Sequence, residues 1–255
     1  MLVWGGLMGD TSWFHKLQEP WRQLLNEPLP GKPPIKQFHL SHIARGLEEF
    51  CDYSRAERDL VTKAFRDVVI EAGLVPVSFS ISTGAWSRHA TSSFQAIFRS
   101  PEHFAFMSCV MSAFRMARIS GSSISMTFDI ARLTADRQGM IAACRAIMPQ
   151  TAVDISFGKV AALPALQAAD MVAYEAYLLS QRAENEPERA HYSTVARPHF
   201  QRLLEGAPDA HGFLIRDKEM KALVEAFEGA SEHGFGAVPT RSSGFQNIFE
   251  YMFKA

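Results

Sequence analysis

Between Lys159 and Arg182 the only charged side chains are Asp170 and Glu175, in an alanine-rich run, LPALQAADMVAYEAY, that reads as a buried helix. An ionised carboxylate withdrawn from water costs several kcal/mol unless it is hydrogen-bonded, paired or bound to a metal. Asp170 therefore needs a partner. A second carboxylate, Asp129, ends the alternating stretch ISMTFDI on the side of Ser125 and Thr127. Carboxylates from a strand and from a helix packed across it form a donor set suited to Mg²⁺ or Mn²⁺, which prefer oxygen ligands and serve as Lewis acids in phosphodiester chemistry. The expected catalytic and metal-binding pair is Asp129 and Asp170. Glu175 falls on a different part of the helix surface and is the more distant metal candidate. Asp154 is the internal candidate for a third carboxylate, but it shares a face with Ser156 and reads better as a surface residue.

Other chemistries have less support. His39 and His42 in FHLSHI could bind a transition metal, but no third ligand stands at a known spacing, and the pair reads as structural or surface. The sequence contains no G-x-S-x-G elbow, no GxxxxGK[ST] loop and no GxGxxG loop. A serine-hydrolase reading and nucleotide cofactors are therefore disfavoured. Arg115 and Arg118 near a helix end suit the negative pole of its dipole better than a phosphate.

The elements that must carry these residues are legible as alternating strands and helices. Leu2 to Met8 reads as a strand, and Asp10, Thr11 or Ser12 as the cap of a helix carrying Trp13, Leu17, Trp21, Leu24 and Leu25, with Pro20 expected to bend or split it. NEPLPGKPP is a connector, and QFHLSHI a strand end or loop. Arg55 to Ala72 shows paired apolar positions four apart, with Gly73 as its cap. VPVSFSIS follows as a strand, residues 101–119 as a helix with Pro101 in its first turn, and SSISMTFDI as the strand that ends at Asp129. Residues 134–148 predict a further helix, TAVDISFG a strand, and the LQAAD run the helix bearing Asp170. Strands alternating with helices imply an α/β layer structure with a mostly parallel portion of sheet.

The chain has 255 residues, 47% of them hydrophobic and 21% charged, with a formal net charge of -1. This is ordinary globular composition, and it excludes disordered and fibrous classes. Near-neutral charge leaves any nucleic acid to be met by a local patch and fits poorly with tight binding to a long polyanion. Three widely spaced cysteines, Cys51, Cys109 and Cys144, fit buried reduced thiols and a cytoplasmic protein. MLVWGGLMG has no basic start and is too short to span a bilayer, so neither a signal peptide nor a membrane segment is expected.

LPALQAADMVAYEAY resembles the LQ-x-AD-x-x-AYE signature of a large, mostly bacterial and phage family known as domain of unknown function 3800, which is regarded as RNase H-like. The order of VWGGLMGDTSWFHKLQEPWRQLL, FHLSHI, a long helix, VPVSFSIS, ISMTFDI, DISFGK and LQAAD is similar to that family over about residues 1 to 180. The resemblance implies an RNase H-like mixed sheet flanked by helices and a metal-dependent, nuclease-type site on Asp129 and Asp170. It also implies a nucleic acid or other phosphodiester substrate. Members of the family begin with a strand carrying Asp-Glu-Ser just before the strand that corresponds to VWGGLMG. That first strand is expected to be missing here, upstream of the given start, leaving its two neighbours unpaired. Residues 1–182 are expected to form the RNase H-like domain, and residues 183–255 a mostly helical extension of it. The competing expectation is a non-catalytic interaction protein that keeps the fold and holds a partner strand.

Overall fold

The computed structural model describes residues 1–132, 134, 135, 137–139, 141, 142, 153–185 and 211–232. Helices and strands alternate as an α/β protein. The strands are β1 (Leu2–Met8), β2 (Val75–Ile81), β3 (Ile124–Asp129), β4 (Val153–Gly158) and β5 (His211–Ile215). The helices are α1 (Thr11–Asn26), α2 (Leu40–Arg45), α3 (Arg55–Ala72), α4 (Thr83–His89), α5 (Ser92–Phe98), α6 (Pro101–Ser120), α7 (Pro164–Asn185) and α8 (Asp217–Glu232).

β2 lies at the centre of a three-stranded sheet, antiparallel to β1 and parallel to β5. β3 and β4 form a separate parallel pair. Pro76 sits in β2 without cost to the ladder with β5, because that pairing begins at Val77 and leaves the position with β1 alone. The segment after residue 182, expected to be mostly helical, supplies both α8 and the strand β5. Residues 186–210 and 233–255 lie outside the described residues.

Two apolar clusters cover the strands. One contains Leu17, Trp21, Phe38, Phe65, Val69 and Val172, from α1, α3, α7 and the segment before α2. The other contains Phe79, Trp86, Phe94, Phe104, Phe106 and Phe227, from β2, α4, α5, α6 and α8. α7 approaches β1 closely enough that a Cβ added at Gly5 would stand 2.4 Å from the Ala173 Cα. The alanines of the LQAAD helix serve this contact, since a larger side chain would hold the helix off the strand.

Local signals explain most boundaries. α3 opens with a capping box in which Ser54 and Glu57 satisfy each other's backbone N–H, and closes at Gly73 with φ of 79°. α1 runs through Pro20 rather than splitting there. The proline lies on the exposed side of the helix, where water can serve the carbonyl it leaves unbonded. Where a strand end or loop was expected in QFHLSHI, a short helix, α2, begins at Leu40, with His39 as its extended N-cap residue. Six residues are too few to show a helical period. The expected helix at 134–148 lies largely outside the described residues.

Of the three cysteines expected to be buried, Cys51 is exposed. Cys109 is a free thiol pushed up to about 12 by burial, and Cys144 lies outside the described residues. Among the described residues no helix is long and apolar enough to cross a membrane.

Candidate functional site

The LQAAD helix fixes the site through Gln167. This side chain is 1% exposed, and its Oε1 accepts a hydrogen bond from Trp21 Nε1 at 3.2 Å and from the Phe38 backbone N–H at 2.9 Å. Its Nε2 donates to the Val160 carbonyl at 3.3 Å. One buried amide thus ties α1, α7 and the residue before His39 together. Gln167→Ala is expected to lower stability by about 2–3 kcal/mol, since it strands two buried donors. It should also loosen the placement of His39. Chemical denaturation and the His39 imidazole resonances report these two effects separately.

One helical turn beyond Gln167 stands Asp170, the carboxylate whose partner the sequence left unnamed. Its Oδ2 is 2.7 Å from His39 Nδ1 and accepts a weaker bond from the Leu40 backbone N–H at 3.4 Å. The pair joins residues 131 positions apart and is part-buried. The hydrogen bond to Asp170 raises the His39 pKa above its usual 6.5, burial works against it, and the charges of Asp170 and Glu48 reinforce it. With Nδ1 held by Asp170, the free working atom of the ring is Nε2.

His42 follows one turn along α2 and lies against His39, with ring centroids 4.3 Å apart and planes tilted by 43°. Its Nδ1 is 3.2 Å from Glu48 Oε2. Glu48 adopts φ of 52°, a left-handed conformation that a side chain bearing a Cβ rarely takes. Such strain is maintained only where surrounding contacts impose it, and here it sits on the residue that backs His42. Among the described residues neither imidazole Nε2 has a hydrogen-bond partner.

The expected metal pair is placed differently. Asp129 does end β3, on the face of Ser125 and Thr127, but its Oδ1 accepts from the Ala131 N–H at 3.1 Å and so caps the turn that follows. Asp170 is committed to His39 instead. Glu175 is 4% exposed, five residues further along α7, and has protein partners of its own. Asp154 is exposed on β4, in register with Ser125. Among the described residues no group of three or more His, Cys, Asp and Glu side chains could hold a metal ion. Asp129 and Asp170 are thus each engaged with other partners, and no chemical step below is routed through a metal.

The residues that sequence reasoning set aside, His39 and His42, are thus the ones the fold brings to Asp170. The available signal was the HxxH spacing of FHLSHI, in which His39 is the cap residue and His42 stands in the first turn of α2. Compared with known protein families, curated proteins and solved structures, the chain matches none.

Proposed function

We propose that the chain is an RNase H-like, nuclease-type protein that hydrolyses phosphodiesters, with its acid–base centre at His39, Asp170 and His42. The observation that carries the acid–base part is the 2.7 Å contact of His39 Nδ1 with Asp170, which leaves Nε2 open. The RNase H-like fold and the phosphodiester class rest on the resemblance of the LQAAD segment and of the element order.

His39, kept protonated to higher pH by Asp170, is the proton donor. His42, backed by Glu48, is the base. In hydrolysis a water oxygen forms a bond to phosphorus as its proton passes to His42. The bond from phosphorus to the leaving oxygen breaks as that oxygen takes the proton from His39 Nε2. The imidazolium also places positive charge beside the phosphate as negative charge builds on the leaving oxygen.

The test is turnover of bis(p-nitrophenyl) phosphate, single-stranded RNA and single-stranded DNA in EDTA and in Mn²⁺. The expected result is cleavage in EDTA that falls by about 10²-fold or more in His39→Gln. Cleavage that needs Mn²⁺, is lost in Asp129→Asn and persists in His39→Gln would replace this centre with the carboxylate–metal reading. No cleavage of any substrate would favour the interaction-protein reading, which the divided strand layer also supports.

A further inference from the structure

Each imidazole of the FHLSHI segment is backed by a carboxylate of its own. His39 Nδ1 stands 2.7 Å from Asp170 Oδ2, and His42 Nδ1 stands 3.2 Å from Glu48 Oε2. A neutral ring that donates from Nδ1 carries its lone pair on Nε2. The two rings are neighbours, with centroids 4.3 Å apart and planes tilted by 43°. Their side chains are 37% and 27% exposed, so solvent reaches both. A ring N–H held by a carboxylate is the arrangement behind most metal-bound histidines, where it fixes tautomer and orientation and makes the other nitrogen more basic. Here both rings have it. The carboxylate behind His42 is kept in place even at the cost of a left-handed backbone at Glu48, with φ of 52°.

We propose that His39 Nε2 and His42 Nε2 together bind one divalent transition metal ion of the Zn²⁺ class, with water in its remaining positions. Imidazole nitrogen suits Zn²⁺, Cu²⁺ and Ni²⁺, whereas Mg²⁺ calls for oxygen donors. Asp170 Oδ2 and Glu48 Oε2 are taken up by the two Nδ1 atoms, so the donors left by this cluster are nitrogens. Two imidazoles that share a zinc at about 2.0–2.1 Å stand with ring centres roughly 5 Å apart. The observed 4.3 Å is close to that spacing. Charge agrees as well. With both rings neutral the cluster carries the negative charges of Asp170 and Glu48, which a dication balances. Among the described residues no third His, Cys, Asp or Glu completes the set, so the site is open to water rather than closed like a structural zinc. Binding of the ion does not depend on the phosphodiester reading, but its consequence for turnover does. An ion on both Nε2 atoms removes the proton donor and the base at once, so Zn²⁺ would inhibit.

The test is calorimetric titration of the full chain with Zn²⁺, and separately with Mg²⁺, in a buffer free of chelators, with the histidine ring resonances followed in parallel. The expected result is one Zn²⁺ per chain, with the His39 and His42 rings shifting together, and no binding of Mg²⁺. The His39→Gln, His42→Gln double variant should lose this binding. Asp170→Asn and Glu48→Gln keep both rings, and each should weaken binding by about tenfold or more while leaving the circular dichroism spectrum unchanged. Zn²⁺ that does not bind, that binds equally to the double variant, or whose affinity is the same in both carboxylate variants would overturn the proposal. If Zn²⁺ binds as expected while turnover is absent or indifferent to it, the acid–base reading fails and the metal site stands.

Discussion

Asp170→Asn is expected to cut phosphodiester turnover by about 10²-fold near neutral pH and to change its pH dependence in a defined direction. In the proposed mechanism His39 serves as the acid, so the rate is expected to fall as pH rises through its raised pKa. With asparagine at 170 the largest cause of that elevation is gone, and the fall should begin at lower pH. Turnover profiles of the two proteins between pH 5 and 9 read this shift directly.

The same substitution has a stability signature with a fixed sign. A histidine whose pKa is raised on folding binds its proton more tightly in the folded chain than in the unfolded one. The resulting stabilisation is fully present below the unfolded value of 6.5 and is lost as pH rises through the folded value. Asp170→Asn should therefore destabilise the protein more at pH 5.5 than at pH 9. The side chain of His39 is 37% exposed, so solvent screening keeps this contribution small. A loss of stability equal at both pH values would mean that Asp170 serves packing rather than the imidazole.

Gly5→Ala is expected to be the most damaging single methyl in the described chain. The added Cβ would lie 2.4 Å from the Ala173 Cα and 2.5 Å from its backbone N, so β1 and α7 must separate. Overpacking of this kind costs about 3 kcal/mol. In a chain of this size that lowers the melting temperature by about 10 °C. Because the clash is with backbone, Ala173→Gly should not rescue it. Gly6→Ala is the matched control, since its Cβ would meet only Val77 Cγ2 at 3.6 Å, an ordinary contact. The displaced helix carries Asp170, so Gly5→Ala should weaken the His39 pairing as well. Thermal unfolding of the three variants tests the whole set.

Elements whose signals are local could be read from the sequence. Ser54, Glu57 and Gly73 bound α3 by chemistry confined to a few residues. The alternation in ISMTFDI placed Asp129 on the polar face of β3, where it stands. α2 was hidden because its start at Leu40 depends on His39 and Leu40 being held by Asp170, a residue 131 positions from His39. No window around FHLSHI contains that information. β5 was hidden for a similar reason, as a five-residue strand made one by pairing with β2.

The site was half legible on the same grounds. An isolated carboxylate in an apolar helix announces that it has a partner, and Asp170 has one. Which partner depends on the packing of α7 against the segment before α2, which Gln167 fixes through Trp21 and Phe38. Strand alternation singled out a second carboxylate, Asp129, whereas the group the fold sets against Asp170 is the imidazole of His39. Asp129 was placed correctly on its strand, but its carboxylate is used by the turn that follows, a local competition that strand alternation does not show.

The central claim is that Asp170 orients and charges His39. The most direct measurement is an NMR titration of the histidine ring resonances in the native chain and in Asp170→Asn, with His39 assigned by its absence from His39→Gln. The expected result is a native His39 pKa above 6.5 that drops in Asp170→Asn, with the Nδ1–H signal lost or shifted. A His39 that titrates identically in both proteins would contradict the pairing, and with it the acid–base centre built upon it.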